Sequence, residues 1–472
     1  MGYSVYRNGV QITAVFGGVT TYSDTQLTSN TTYAYSVSAF DSSGNNSARC
    51  TEVSETTLNS STKVFGTAIN DYGRGVAVDS SGNVYVTGWT QGDLDGISNL
   101  GGGDIFLMRY NSDGSHAWTN LLGTLGVAEP TATDYGSFGL NVAVDGSGNI
   151  YVTGYTTGTM DGQTNSGGKD AFLVKFDSSG IKQWTRLWGA SSDDVGTSVA
   201  VDSSGNAYIT GSTTNAGTED IFLVKYNSSG VFQWVEQLGT SATDIGLGIA
   251  IDQVGGTTYA YVTGGTQGNL DGQSNVNPGT FDIFLTAYNV TGSTHTKQWT
   301  HLLGTSTDDA GLGITARGGG VWVTGFTSAA LDGNTHSGGN DIFVARYSYL
   351  GVKQWTTQLG TTSDEMAFGI AVDSIGNSYV TGFTSGSLGG QFTNPNAGNE
   401  DIFLVKFGIG GGTPFWARLL GTSGDDEGRS VALDSSGHVY VVGFTQDNLD
   451  GQTNAGGFDA CLIKYDTGGN LL

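Results

Sequence analysis

Carboxylates recur at two repeated places in this 472-residue chain, and regular spacing is what a shared ligand or metal ion asks of them. One acid stands ahead of each of seven similar hairpins: Asp71, Asp134, Asp194, Asp244, Asp309, Glu365 and Asp426. Asp193, Asp308, Asp364, Asp425 and Glu427 thicken this set. The second set comes in pairs across a glycine-rich stretch: Asp95 with Asp104, Asp161 with Asp170, Asp332 with Asp341, and Asp450 with Asp459. Acid, side-chain amide and backbone oxygens in such a stretch suit calcium, which takes hard oxygen ligands in flexible number. The spacing is not that of an EF-hand, whose acids alternate and end in a bidentate Glu. Both sets also have a structural reading, in which each Asp accepts backbone N–H groups of a Gly-rich turn. Arg74 and Arg429 hold matching repeat positions where other copies have Thr197, Leu247 or Leu312. Two guanidiniums side by side would bind a carboxylate or sulfate bidentately, or pair with the acids around them.

Other chemistry has little to stand on. The five histidines, His116, His295, His301, His336 and His438, fall at non-equivalent positions and form no metal spacing. No G-x-S-x-G elbow occurs. The chain is therefore expected not to be an enzyme. The alternative is a catalytic fold that uses carboxylates from separate segments on a polysaccharide, as a lyase or glycosidase.

The elements that must position these residues are seven hairpins. Residues 76–88 read VAVDSSGNVYVTG, and near copies begin at Val142, Val199, Ile370 and Val431, with looser ones at Ile249 and Ile314. Alternating apolar residues mark strands with a buried face, and the Asp-Ser-Ser-Gly-Asn cluster supplies turn conformations. After each hairpin come a variable loop and a third strand, such as DIFLMRY from Asp104 or DIFLVKY from Asp220. A fourth strand carries Trp118, Trp184, Trp234, Trp299, Trp355 or Trp416. Four short strands repeated seven times predict an all-β, seven-bladed β-propeller of four-stranded antiparallel blades over residues 58–472. The seventh copy ends before any Trp strand, whereas residues 63–67 (KVFGT) match the end of one. An N-terminal strand is thus predicted to complete the last blade and close the ring, hiding two sheet edges. Truncation of that blade is the other reading. In a closed ring the first acids would encircle the channel mouth.

Composition narrows the partners. The formal net charge is −25 with only 18 Lys plus Arg, which repels nucleic acid and anionic membranes. No apolar run reaches the length of a membrane span, and Cys50 and Cys461 form no disulfide framework. The 78 glycines fit an all-β repeat rich in tight turns. Met1-Gly2 leads directly into what reads as mid-domain sequence, so the chain is expected to be part of a longer protein.

Two resemblances follow. The hairpin VAVDSSGNVYVTG, the DIFLVKY strand and the QWTTQLGT ending resemble the seven-bladed β-propeller (SBBP) repeat of bacteria, in seven copies from residue 62 to 472. Residues 1–57, with YSVYRNG, TTYSDTQL and TTYAYSVSAFDSSGNNS, resemble the C-terminal half of a fibronectin type III domain. The first resemblance implies a secreted or surface-associated module and no common reaction. The function expected is a monomeric, extracellular or cell-surface binding or scaffold module. It would recognise a glycan or protein through its acidic loop-bearing face, with Ca2+ as a possible aid. A ligand-free spacer is a further alternative.

Overall fold

The computed structural model describes residues 2–472 apart from 17–18, 20, 23, 25–31, 57–60, 101–102, 124–140, 216 and 389–395. Its described residues form eight four-stranded antiparallel sheets and no α-helix. They divide into a small unit, Met1–Ser61, and a large one that begins at Thr62.

The small unit is one sheet in the order Val10–Phe16, Gly2–Arg7, Thr32–Phe40, Val53–Thr56. Tyr6 packs within it and shares a hydrogen bond with Ser38 (3.3 Å).

The other seven sheets take their strands in chain order, with one exception. The first sheet is Asp71–Val78, Val84–Thr90, Asp104–Tyr110 and His116–Leu122. The last is Asp426–Leu433, Val439–Thr445 and Asp459–Tyr465, and its fourth strand is Thr62–Phe65. Ala460 pairs with Phe65, Cys461 with Val64 and Leu462 with Lys63. The first strand of each sheet contacts that of the next, and Asp426–Leu433 contacts Asp71–Val78.

The hairpin words have a local cause. Asp79 Oδ1 accepts the N–H groups of Ser81 and Asn83 (both 2.9 Å), while Oδ2 accepts the Asn83 amide (2.8 Å) and the Tyr85 hydroxyl (3.1 Å). Gly82 takes the left-handed conformation (φ +79°) that completes the turn. The same set recurs at Asp145, Asp202 and Asp434, where His438 replaces Asn. The Thr of each VTG donates to the carbonyl of the Phe in the third strand, as Thr87 does to Phe106 (2.8 Å) and Thr381 to Phe403 (2.7 Å). Burial of these strands against the next sheet then fills the space between sheets. Val76, Val86, Phe106 and Met108 of the first sheet pack with Tyr440, Val442 and Leu462 of the last.

Candidate functional site

The first set of acids sits where the fourth strand of one sheet leads into the first strand of the next. Asp71, Asp244, Asp309, Glu365 and Asp426 are fully buried, and Asp194 nearly so. Each carboxylate caps the turn that precedes it. Asp309 Oδ2 accepts the N–H and hydroxyl of Thr305 (2.6 and 2.8 Å), and Asp426 does the same with Thr422 (2.6 and 2.8 Å). Asp71 binds Thr67 and Asp194 the Ala190 N–H in this way. Burial raises Asp71, Asp244, Asp309, Glu365 and Asp426 above the usual carboxylate range, against the hydrogen bonds that lower them. The backbone N–H of each binds the loop of the preceding sheet, as Asp194 does to Lys169 (2.7 Å) and Asp426 to Glu400 (2.8 Å). Asp308 and Asp364 extend this seam by accepting Phe281 N–H (2.9 Å) and Asn340 N–H (2.8 Å). These acids therefore stitch neighbouring sheets together through one oxygen, while Oδ1 of Asp71, Asp194, Asp309 and Asp426 is buried with no hydrogen-bond partner among the described residues. Asp134 lies outside the described residues.

The paired acids are divided between two jobs. Asp95, Asp161, Asp332 and Asp450 adopt left-handed backbone (φ 49° to 55°), each followed by a positive-φ glycine, so the Asp-Gly pair makes a tight turn. Their carboxylates reach the fourth strand: Asp161 pairs with Lys182, Asp332 with Lys353 (2.6 Å) and Asp95 with Thr119. Asp450 accepts the hydroxyl of Thr62 (2.7 Å), on the N-terminal strand of the last sheet. Asp104, Asp170, Asp341 and Asp459 are buried and cap their own loops. They accept the N–H groups of Leu100 (2.9 Å), Ser166 (2.8 Å), Ser337 (3.0 Å) and Ala455 (2.5 Å). Burial pushes Asp459 up to about 6. Among the described residues, no three His, Cys, Asp or Glu side chains gather closely enough to hold a metal ion.

The arginines are brought together. Ladder register slips between Gly73 and Gly75, Gly196 and Ser198, Gly246 and Gly248, Gly311 and Gly313, Ala367 and Gly369, and Gly428 and Ser430. Each slip is a β-bulge, which leaves one extra residue unpaired and re-aims its side chain. The extra residues are Arg74, Thr197, Leu247, Leu312, Phe368 and Arg429, and with Asn141 they line one cavity of about 50 Å³. Arg429 pairs with Glu427 and lies over the Phe368 ring (4.0 Å). Arg74 lies over Tyr72 (5.3 Å) and Phe444 (5.6 Å), and among the described residues no carboxylate is within 4.0 Å of it. Burial and the facing Arg429 charge lower Arg74 to about 9.

Glu400 was not singled out in the sequence. Burial, then the charges of Glu427 and Asp425, push it up to about 8, and it shares a hydrogen bond with Glu427. Its position is taken by Glu219 in the third repeat and by Gly103, Lys169, Phe281, Asn340 and Phe458 in the others. Around it, Tyr72 packs on Trp89 (5.7 Å), Phe444 (4.8 Å) and Phe458 (5.3 Å).

Comparison with known proteins agrees on the repeat. The beta-propeller repeat profile matches residues 64–95, 117–159, 183–217, 354–389 and 416–450. The regulatory protein FlaEY of Caulobacter vibrioides is 28% identical over 412 residues, 77% of this chain and 42% of that protein. Chitinase Chi52 of Paenibacillus xylanexedens is 52% identical over 60 residues, 13% of this chain and 11% of that protein. The chain thus spans less than half the length of the curated relatives it matches. Among solved structures, the rhamnogalacturonan lyase YesW is similar at 14% identity and a TM-score of 0.37, over 99% of this chain and 85% of that one. An ulvan lyase bound to -[GlcA(1-4)Rha3S]- is similar at 9% and 0.44, over 86% and 96%. Sqt1 from Chaetomium thermophilum is similar at 8% and 0.45, over 87% and 100%. The expectation that the chain is not an enzyme is corrected by these matches. Polysaccharide lyases are among the folds it resembles, and the lack of a serine or metal motif does not exclude chemistry by carboxylates from separate sheets. Five stretches of the chain thus carry the SBBP beta-propeller repeat.

Proposed function

We propose that residues 62–472 close into a seven-bladed propeller whose channel-mouth sector, where the last blade meets the first, recognises an anionic glycan. The pairing of Thr62–Phe65 with Asp459–Tyr465 supports closure, as does the contact of the last inner strand with the first. The observation that carries recognition is where the repeat breaks. At the residue after the first acid, four repeats have Val195, Ile245, Ala310 and Met366, the first and second have Tyr72 and Tyr135 in the sequence, and the seventh alone has an acid, Glu427. At the bulge the first and seventh blades have Arg74 and Arg429. Packing of the ring does not call for cations there, since Leu247 and Leu312 fill the same position. Aromatic rings beside cations suit a sugar that carries an acid group, because rings cover its apolar face and guanidinium holds the anion.

An extracellular or cell-surface location fits such a ligand. Among the described residues no helix is long and apolar enough to cross a membrane. One oxygen of each buried loop carboxylate accepts an N–H of the chain, while Oδ1 of Asp104, Asp170, Asp341 and Asp459 has no hydrogen-bond partner among the described residues.

Retention on immobilised uronate-containing and neutral polysaccharides tests the proposal. The acidic polymer should be retained by the wild type and not by Tyr72→Ala, and the neutral one by neither. Equal retention of both polymers, or retention indifferent to Tyr72, would sink it. A catalytic reading is favoured by one observation, that Glu400 is held protonated near neutrality beside Arg429 and so could supply a proton. New reducing or unsaturated ends in the incubated polymer would establish that reading.

A further inference from the structure

The bulge cavity has a composition unlike the rest of the ring. Its wall is apolar on one side, through Leu247, Leu312 and Phe368, and carries Arg74 and Arg429 on adjacent strands. Thr197 is already spent, because its hydroxyl donates to Thr210 O (3.1 Å) and Gly246 O (2.8 Å). The volume of about 50 Å³ has room for roughly three or four waters, or for one small planar anion. Arg74 and the acid cap of its own strand, Asp71, are three residues apart, so the cavity lies roughly 10 Å along the strand from the capped turns.

The lining selects the anion. Arg74 and Arg429 both line the cavity, no carboxylate is among its lining residues, and Glu427 pairs with Arg429 from outside that lining.

The geometry points to a binding site for a single monocarboxylate head group between Arg74 and Arg429, with the carbon end of the acid against Leu247, Leu312 and Phe368. The guanidinium fork matches a planar carboxylate, and the apolar wall matches the carbon that bears it. This deepens the glycan reading, on which it rests for the source of the carboxylate, by naming the substituent that is read.

Thermal melting and titration calorimetry of the whole chain near neutral pH test it, with sodium acetate, sodium D-glucuronate, D-glucose and sodium chloride at matched ionic strength. Acetate and glucuronate should raise the melting temperature saturably, while glucose and chloride should not. A glucuronate response much larger than that of acetate identifies a sugar acid as the source. Equal responses identify the head group alone, and either pattern supports the site. Arg74→Gln should weaken the acid response about tenfold or more, the usual cost of losing one charged hydrogen-bonding partner. In the absence of acid, Arg74→Gln should melt no lower than the wild type, because it removes one of two like charges and breaks no ion pair. That control separates loss of the site from loss of the fold. A saturable response retained in Arg74→Gln, or no response to either acid, overturns the inference. If Arg74→Gln still binds acidic polysaccharide as the wild type does, this inference fails while the glycan reading stands.

Discussion

Replacing Glu400 by Gln isolates the one carboxyl whose protonation decides the charge of the site. In the fold this group is pushed up to about 8 by burial and by Glu427 and Asp425, against an ordinary value of 4.5. A raised carboxyl stabilises the fold fully below its unfolded value, and that stability is lost as pH rises through the folded value. The window therefore runs from about pH 4.5 to about pH 8. At ~1.36 kcal/mol per unit the whole shift would convert to about 5 kcal/mol. Glu400 is partly open to water, and solvent screening reduces this to about 1–2 kcal/mol. Gln keeps an amide N–H for Glu427 and has no charge to lose. Calorimetric melting of both proteins at about pH 5 and about pH 9 should then show near-equal stability at the lower pH. At the higher pH Glu400→Gln should lead by about 1–2 °C, given ~2.1 cal/mol/K of unfolding entropy per residue over a domain of this size. Glu427, Asp425 and Arg429 are the charged groups that act on Glu400, and the difference between the two proteins reports its titration together with that of Glu427. A difference that is the same at both pH values would refute the assignment of a buried, proton-sharing carboxyl.

Ring closure can be trapped covalently: Val64→Cys places a thiol opposite the buried Cys461, at a spacing typical of a disulfide. With Cys50→Ser to remove the exposed thiol, oxidation should yield a single intramolecular crosslink, visible as faster migration on a non-reducing gel, and a quantitatively free thiol would argue against closure. Asp309→Ala removes the acceptor for both Thr305 donors in a buried turn and should cost about 1–3 kcal/mol, read as a lowered denaturation midpoint. Excess chelator should leave the melting temperature unchanged if Lys182, Lys353, Thr62 and backbone N–H groups suffice for the loop acids; a fall would assign a cation to the unpartnered Oδ1 atoms of Asp104, Asp170, Asp341 and Asp459.

Most of the ring was legible because its causes are local. Asp79, Gly82, Asn83 and Tyr85 lie within seven residues and make one another's hydrogen bonds, so the turn reads directly from the chain. The pairing of Thr62–Phe65 with the last sheet was legible for a similar reason: residues 63–67 keep the KVFGT ending even though Ser61 replaces the tryptophan. The surroundings of the acids were not legible. Asp309 is engaged by Thr305, four residues earlier, whose hydroxyl and N–H both point at it. A Gly-Thr, or Gly189-Ala190 before Asp194, was present in the sequence, but nothing in residue type alone says that the two meet.

The arginines show what repetition hides. Arg74 and Arg429 were recognisable as matching exceptions, yet their meeting depends on a bulge, and a bulge has no signature beyond the small residues that flank it, Gly73 with Gly75 and Gly428 with Ser430. A regular antiparallel strand turns successive side chains to opposite faces, so its own pattern gives no reason for a residue between two such neighbours to face the axis. The extra residue breaks that alternation in six described blades, and aims six side chains at one place. Four of those six, Thr197, Leu247, Leu312 and Phe368, are neutral and suit a packed centre. The two cations stand against the packing tendency of their own position, where a buried like-charged pair costs stability in the absence of a counter-charge. That cost is borne at the one seam where Glu427 also departs from the repeat. The coincidence of these departures at one seam, rather than the acidity of the whole face, is the physical ground for seeking the ligand there.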